Sequence, residues 1–563
     1  MLTGCNLPFT HTARNLRRVS PRLWLALGFV LGVGTALRLG EFAALTPLDV
    51  DEAMLGLDMA ARGYAGLLQP LDFGQTAPVL FLWGAHLATR LVGVGEPALR
   101  VLPFIAGVVL PWATWKLATR LLGPRAAVLA AAFTACAPIL VRYSSVAKPY
   151  AIDALVTVML VGFALDTANQ PERARTWWRL LGAGVVALLA SQPALFVLAG
   201  LTAALALDPR VRRVPGWMWR LATAGVAWSA LFATLYFTLY RRVATDGYMR
   251  QFWAWSFLSP GSPSLVDRLP LIARETLFPF FIGSRPHTLA VIVVALALCG
   301  VGAVGLGGRL GRWAMVLVAG PVVAALGAST VHGYPIAARL MIYAAPLLML
   351  MMAEGVVTAI GWLRRPGATR AAWVVVLAWL AVVAEAAATR RRPAPDVPSL
   401  VQLLRRAPPP ETPVYVLANA LPMWAFYSTD WAAPDTSRLQ WLVRLAGPGG
   451  PAFHNAPARG RPRADETATL VGRWGARTEI IGLATGMQKR DLAGLSRSRP
   501  DSGWVKEEVA RIAAGGDHEV WLVLAFAFSH EADELLAGLE AARWERVYER
   551  DAPDASLYRY RLR

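Results

Sequence analysis

The sequence predicts a polytopic α-helical membrane protein that carries a small α/β domain at its C-terminal end. Three observations predict it. Of 563 residues, 56% are hydrophobic, and the apolar residues fall in runs near the ~20 residues that a membrane-crossing helix needs. The short connections between these runs are rich in arginine, as cytoplasmic loops of such proteins are. From about residue 393 the long runs stop, and short β-type segments appear with a helical one among them.

The apolar runs cover approximately 23–40, 97–121, 125–141, 149–167, 178–190, 193–208, 217–240, 287–306, 312–330, 338–361 and 371–389. The first follows Arg14, Arg17, Arg18 and Arg22. It has no small-residue cleavage site and more runs follow, so it is expected to be a span and not a cleaved leader. The stretch Val79 to Val94 holds His86 and Arg90 and follows Pro78. Charge decides its placement. With 79–94 lying in the interface, the basic connections at Arg120 and Arg125, Arg173 to Arg179, Arg210 to Arg220, Arg309 and Arg312, and Arg364 to Arg370 all share the cytoplasmic side with the N-terminus. The count is then about eleven transmembrane helices plus juxtamembrane helices. Arg390 to Arg392 then fall on the outer side, against this rule.

This topology gathers residues 41–96, 142–149, 241–286 and 331–337 on one outer face, with the region from 393 onward. It implies a multi-pass membrane protein with two domains, a membrane domain over 1–392 and a soluble α/β domain over 393–563 on the extracytoplasmic side. In the second, Val414–Ala418, Glu479–Leu483, Val520–Phe526, Glu545–Glu549 and Leu557–Tyr560 read as strands, and Ser529–Ala542 as a helix. Residues 434–470, rich in Pro, Gly and Arg, read as loop.

The net charge of +19 does not indicate nucleic acid, because the arginines sit in the short loops between spans. Lysine occurs only at 116, 148, 489 and 506. Cys136 and Cys299 lie in apolar runs and Cys5 in the basic N-terminal stretch, with no metal-ligand spacing. No P-loop, HExxH or GxSxG is present.

Three segments carry candidate chemistry. The first outer loop holds Asp49, Asp51, Glu52, Asp58 and Asp72. A solvated acidic loop accounts for any one of them alone. Asp51-Glu52 is different, because the pair lies close to the span end and precedes an amphipathic stretch that holds it at the lipid boundary. One acid can act as base while the other orients groups around it. The second segment runs from Tyr143-Ser144-Ser145 through Lys148-Pro149-Tyr150 to Asp153. A helix that starts at Pro149 beside Lys148 forms an anion site suited to phosphate, and Asp153 lies a turn into the membrane, on the face of Tyr150. A snorkelling lysine paired with Asp153 is the alternative. The third is His332-Gly333-Tyr334-Pro335 with Arg339, which can hold a phosphate in a bidentate way or snorkel to headgroups. Between them, loop 241–286 interleaves Arg with Trp and Phe (Trp253, Trp255, Arg274, Phe278, Phe280, Phe281, Arg285), as an interfacial helix or an ordinary aromatic belt does.

These residues resemble a known family. The Asp-Glu pair after the first span, the Gln75-Thr76-Ala77-Pro78 segment running to Trp83, the block Ala98 to Phe104, the Tyr-Ser-Ser…Lys-Pro-Tyr…Asp element and Tyr334-Pro335…Arg339 together resemble GT-C glycosyltransferases of the protein O-mannosyltransferase and aminoarabinose transferase superfamily. The resemblance covers about residues 20–390. It implies a GT-C fold and a polyprenyl-phosphate-linked sugar as donor, such as an undecaprenyl-phosphate sugar. The acceptor would be a hydroxyl on a glycan, lipid or protein. The family's catalytic Asp matches Asp51, and its second acidic position matches Asp153. In the implied mechanism Asp51 is general base, the sugar inverts, and Lys148, Arg339 and the helix N-terminus at Pro149 hold the lipid phosphate. Glu52 and Asp153 orient the groups, and Tyr150, Tyr334, His332 and Gln75 line the substrate site. No metal spacing calls for a divalent cation. Where aminoarabinose transferases carry a lysine before Pro-Pro-Leu, this chain has Gln75-Thr76-Ala77-Pro78, which implies a different sugar or phosphate contact. The alternative function is a transporter or flippase without bond chemistry, but the paired halves of transporters are not visible.

Overall fold

A computed structural model describes residues 20–258, 288–389, 394–447, 470–483, 488–491, 494–497, 503–515, 518–525 and 531–563. Arg274, Phe278, Phe280, Phe281, Arg285, Arg390 to Arg392, Cys5 and Arg14 to Arg18 lie outside the described residues.

Each of the eleven expected runs is helical. Among the described residues, eight helices are long and apolar enough to cross a membrane. They include α1 (Pro21–Ala43), α4 (Glu96–Leu121) and α7 (Tyr150–Asn169). A ninth crossing is the bent pair α5 (Pro124–Cys136) and α6 (Pro138–Arg142), whose axes differ by 57° where the second continues to Ser145. The other two, α8 (Ala174–Ala190) and α9 (Ala194–Leu207), have 17 and 14 residues because Pro193 interrupts one long apolar run. The stretch expected to lie in the interface is α3 (Val79–Val92), 14 residues long and, like α9, short of the ~20 residues of a full crossing.

Arg38 explains how the bend between α5 and α6 is tolerated. Pro138 has no N–H, so the carbonyl of Thr134 loses its helical donor. The Arg38 guanidinium replaces it, donating to Thr134 O at 3.0 Å and to Ala135 O at 2.8 Å. Arg38 is fully buried in α1, so a buried charge of the first span serves the break in its neighbour.

The C-terminal part starts with a helix, Val397–Arg406, and is built on a six-stranded sheet of order β2-β3-β1-β6-β8-β7. Here β1 is Val414–Val416, β2 Val471–Trp474, β3 Arg477–Ile481, β6 Glu519–Ala525, β7 Trp544–Ala552 and β8 Ala555–Leu562. β1 runs parallel to β3 and β6, and the remaining pairs are antiparallel. A separate hairpin joins β4 (Gln488–Asp491) to β5 (Gly494–Arg497). Part of the expected loop 434–470 is instead helical, over Thr436–Ala446. Asp435 caps it by accepting from Arg438 N, and Leu439, Leu442 and Leu445 bury one face.

The first outer loop and this C-terminal part share one hydrophobic core. It joins Leu48, Met54, Leu55, Phe81 and Leu99 to Val397, Leu421, Trp424 and Phe426. The Tyr427 hydroxyl fastens the contact, accepting from Leu48 N at 2.6 Å and donating to Glu96 Oε1 at 2.7 Å. The first loop is therefore a rigid shelf between the helix bundle and the sheet.

Candidate active site

The shelf is organised by α2 (Val50–Ala61). A capping box starts it: Asp49 accepts from Glu52 N at 2.8 Å, while the Glu52 side chain accepts from Asp49 N at 3.3 Å. Asp51 and Glu52 follow in the first turn, about 100° apart around the helix, so they face different surroundings.

Glu52 faces inward and is 3% exposed. Arg100 in α4 grips it in a fork, Nε to Oε1 at 2.9 Å and Nη2 to Oε2 at 2.8 Å. Ala147 N donates to the same Oε1 at 2.6 Å, and Arg100 Nη1 donates to Thr46 O at 2.6 Å. One buried ion pair thus ties α2, the start of α4 and the 142–149 loop. Every carboxylate oxygen is engaged, which makes Glu52 a support for the shelf.

Asp51 faces the other way, toward the third segment. Arg339 Nη1 lies 2.7 Å from Asp51 Oδ2, and each side chain is about one third exposed. Arg339 also stacks over the Trp253 ring at 5.2 Å, so the aromatic loop supplies one wall of the site. Lys148, 8% exposed, donates from Nζ to Gln75 Oε1 at 2.8 Å, and Gln75 is steadied by Met54 Sδ at 3.4 Å. Burial holds the Lys148 ammonium below the usual lysine range. Asp51 opposes that effect and Arg339 adds to it, so all three charges lie within reach of one another. The Asp49 carboxyl is pushed up to about 6, by burial first and then by the charges of Glu52 and Asp51.

Asp153 lies in the first turn of α7 and is 4% exposed. Tyr150 packs edge-on against Tyr143 at 5.1 Å and lies close to Arg339, Asp51 and Asp153. Tyr334 donates to Leu340 O at 2.7 Å and packs against Phe196 at 4.7 Å, with Asp153 and Tyr150 nearby. His332 stands apart. It is exposed, adopts a positive φ of 58°, and sets its ring 5.1 Å from Phe257.

The other loop acids are accounted for by Arg62. It pairs with Asp58 at 2.8 Å and Asp72 at 2.7 Å and donates to Pro70 O. Asp58 is thus a buried anchor of the loop, not a solvated charge. Arg100 is the important residue that sequence reasoning missed. It belongs to the Ala98–Phe104 block, and the only signal was an arginine at the entry of a span, opposite a loop rich in acids.

Among the described residues no group of three or more His, Cys, Asp or Glu side chains is placed to hold a metal ion. What gathers at the end of the bundle is a carboxylate, two cations, a helix start and a ring of tyrosines and tryptophan. Such a group of charges can take a proton and bind a phosphate at the same time.

Comparison with known proteins bears on this arrangement. Residues 76–237 match the family model for dolichyl-phosphate-mannose-protein mannosyltransferase. Among solved structures, the chain is similar to ArnT from Cupriavidus metallidurans in the apo state, with 14% identity, a TM-score of 0.50, and coverage of 95% of this chain and 98% of that one. It is similar to the same protein bound to undecaprenyl phosphate, with 13% identity, a TM-score of 0.51, and coverage of 96% and 98%. No curated protein sequence matches. The expected GT-C fold with its appended C-terminal sheet is borne out along nearly the whole chain, and the resemblance holds in sequence over 76–237.

Proposed function

We propose that the chain is a membrane glycosyltransferase that moves a sugar from a polyprenyl-phosphate donor to a hydroxyl of a lipid, glycan or protein acceptor. The observation that carries the reading is the meeting of Asp51, Arg339 and Lys148 at one end of the bundle. The family match over 76–237 and the fold shared with a protein solved with undecaprenyl phosphate support the choice of donor.

In this reading Asp51 is the general base. The acceptor oxygen attacks the anomeric carbon as its proton passes to the Asp51 carboxylate. The bond between that carbon and the phosphate oxygen breaks, and its electron pair leaves with the lipid phosphate. Attack opposite the leaving group inverts the configuration. The phosphate gains charge as it leaves, and Lys148 and Arg339 neutralise it where it develops. Before substrate arrives, Arg339 pairs with the Asp51 carboxylate at 2.7 Å. As the phosphate draws on Arg339, the carboxylate becomes the stronger base at the moment it is needed. Glu52 fixes α2, and Asp153 and Tyr150 border the donor's path. The active end and the C-terminal sheet face the extracytoplasmic side.

The test is product formation by purified protein in sealed proteoliposomes, given undecaprenyl-phosphate sugars and a cell-envelope extract as acceptor. Transfer of labelled sugar with release of undecaprenyl phosphate is expected. Movement of an intact donor across the membrane, with no sugar transferred, would instead establish a transporter.

A further inference from the structure

Thr46, Pro47 and Leu48 lead into α2 without regular structure of their own. Their backbone groups must find partners elsewhere, and those partners set where α2 begins and so where Asp51 stands. Arg100 supplies two, donating from Nη1 to Thr46 O at 2.6 Å and from Nη2 to Pro47 O at 3.3 Å. Tyr427 supplies the third. Leu48 N donates to its hydroxyl at 2.6 Å, and the hydroxyl donates to Glu96 Oε1 at 2.7 Å. Arg100 belongs to the helix bundle, whereas Tyr427 belongs to the C-terminal part, in the last turn of the helix Leu421–Ser428.

The two supports are linked. Glu96 and Arg100 are one turn apart on α4. The acid that orients the hydroxyl and the guanidinium that holds Glu52 are therefore set by the same turn. A phenol suits the place because it accepts and donates at once. Burial, and then the Glu96 charge, hold the Tyr427 phenol above its ordinary value, so it keeps the proton it donates. Phe426, the preceding residue, bears on α2 at Gly56. A Cβ at Gly56 would meet the Phe426 ring at 3.2 Å and Leu99 of α4 at 3.0 Å, so α2 lies close against both. Adjacent side chains of the C-terminal part thus touch the entrance of α2 and its middle, and Asp51 falls between the two contacts.

Asp51 depends on this placement. Its partner Arg339 belongs to a different segment, so their contact holds only while the start of α2 stays where it is. A reacting group displaced by about 1 Å can lose about a hundredfold in rate. We propose that Tyr427 is a positioning residue for Asp51: through this hydroxyl the C-terminal part sets where the base stands against donor and acceptor. The role of Asp51 as base rests on the glycosyltransferase reading above; its placement by Tyr427 does not.

The test uses the full-length protein in nanodiscs and two variants. Tyr427→Phe keeps the ring and removes the bridging oxygen. Glu96→Gln keeps a carbonyl oxygen that accepts from the hydroxyl, and so preserves the bridge to Leu48. Hydrogen exchange of peptides within 46–57 reads the placement. Single-turnover sugar transfer at saturating donor, beside binding of undecaprenyl phosphate, reads its effect on the chemistry. Tyr427→Phe should speed exchange over 46–57 about fivefold, the worth of one hydrogen bond, with exchange in β1 and β6 unchanged. Transfer should slow about tenfold or more, while undecaprenyl phosphate binds as before. Glu96→Gln should stay near the unaltered protein in both. Unaltered exchange over 46–57 in Tyr427→Phe would overturn the proposal, as would transfer at the unaltered rate. Exchange raised throughout the C-terminal part would overturn it too, as general loosening, and so would equal damage from Glu96→Gln. If the unaltered protein transfers no sugar, faster exchange confined to 46–57 would uphold the placement and refute the transferase reading.

Discussion

Asp51 and Arg339 are 288 residues apart in the chain and 2.7 Å apart in the fold. The first outer loop and the entrance of a distant helix meet there. In the proposed reaction Arg339 holds the leaving phosphate and Asp51 is the base, so this contact would couple binding of the leaving group to activation of the nucleophile.

Replacing Arg339 should therefore affect both steps. Arg339→Gln should weaken binding of undecaprenyl phosphate by about tenfold or more, because a charge-assisted contact to phosphate is lost. It should also slow transfer at saturating donor. Equilibrium binding beside single-turnover transfer separates the two effects.

With Lys148 in the proposed phosphate site, its ammonium should set the pH dependence of lipid binding. Burial holds its folded value below the ordinary lysine value, so the ammonium is lost at lower pH than in a free lysine. Affinity for undecaprenyl phosphate should fall as pH rises toward that lowered value. Lys148→Arg keeps its charge throughout and should flatten the profile. Binding measured from neutral to alkaline pH checks this, and identical profiles for the two proteins would contradict it.

The Glu52–Arg100 pair should behave as structure. Glu52→Gln leaves a buried guanidinium uncompensated and should destabilise the fold by about 3–5 kcal/mol. Glu52→Gln combined with Arg100→Leu should recover part of that loss. Thermal unfolding in detergent reads the difference, and additive losses would show that the two side chains are not coupled.

Arg38→Met tests the bend between α5 and α6. It leaves the carbonyls of Thr134 and Ala135 without their side-chain donor, at about 1–3 kcal/mol each. A lower unfolding temperature is expected, with donor affinity little changed in the protein that remains folded.

Much of this molecule is legible in sequence because hydropathy and arginine placement act locally. They yielded eleven helical runs, the short helix at 79–92 and the separate character of the C-terminal region. Asp51 was legible for the same reason, as a charge at a span end. The partners were not. Arg100 sits 48 residues from Glu52, and nothing local marks it as the acid's counter-ion. The helix over 436–446 was hidden by its Pro- and Gly-rich surroundings, although Leu439, Leu442 and Leu445 carry its spacing. β2 was missed because an edge strand with alternating exposure and Gly472 has little apolar signal.

In the proposed reaction the Asp51 carboxylate takes the acceptor's proton. Single-turnover sugar transfer by Asp51→Asn, measured beside its thermal stability and its binding of undecaprenyl phosphate, is the decisive experiment. A fall of about 10²–10⁴-fold in transfer rate is predicted, with a folded protein that still binds the lipid. Transfer at the unaltered rate would contradict the claim.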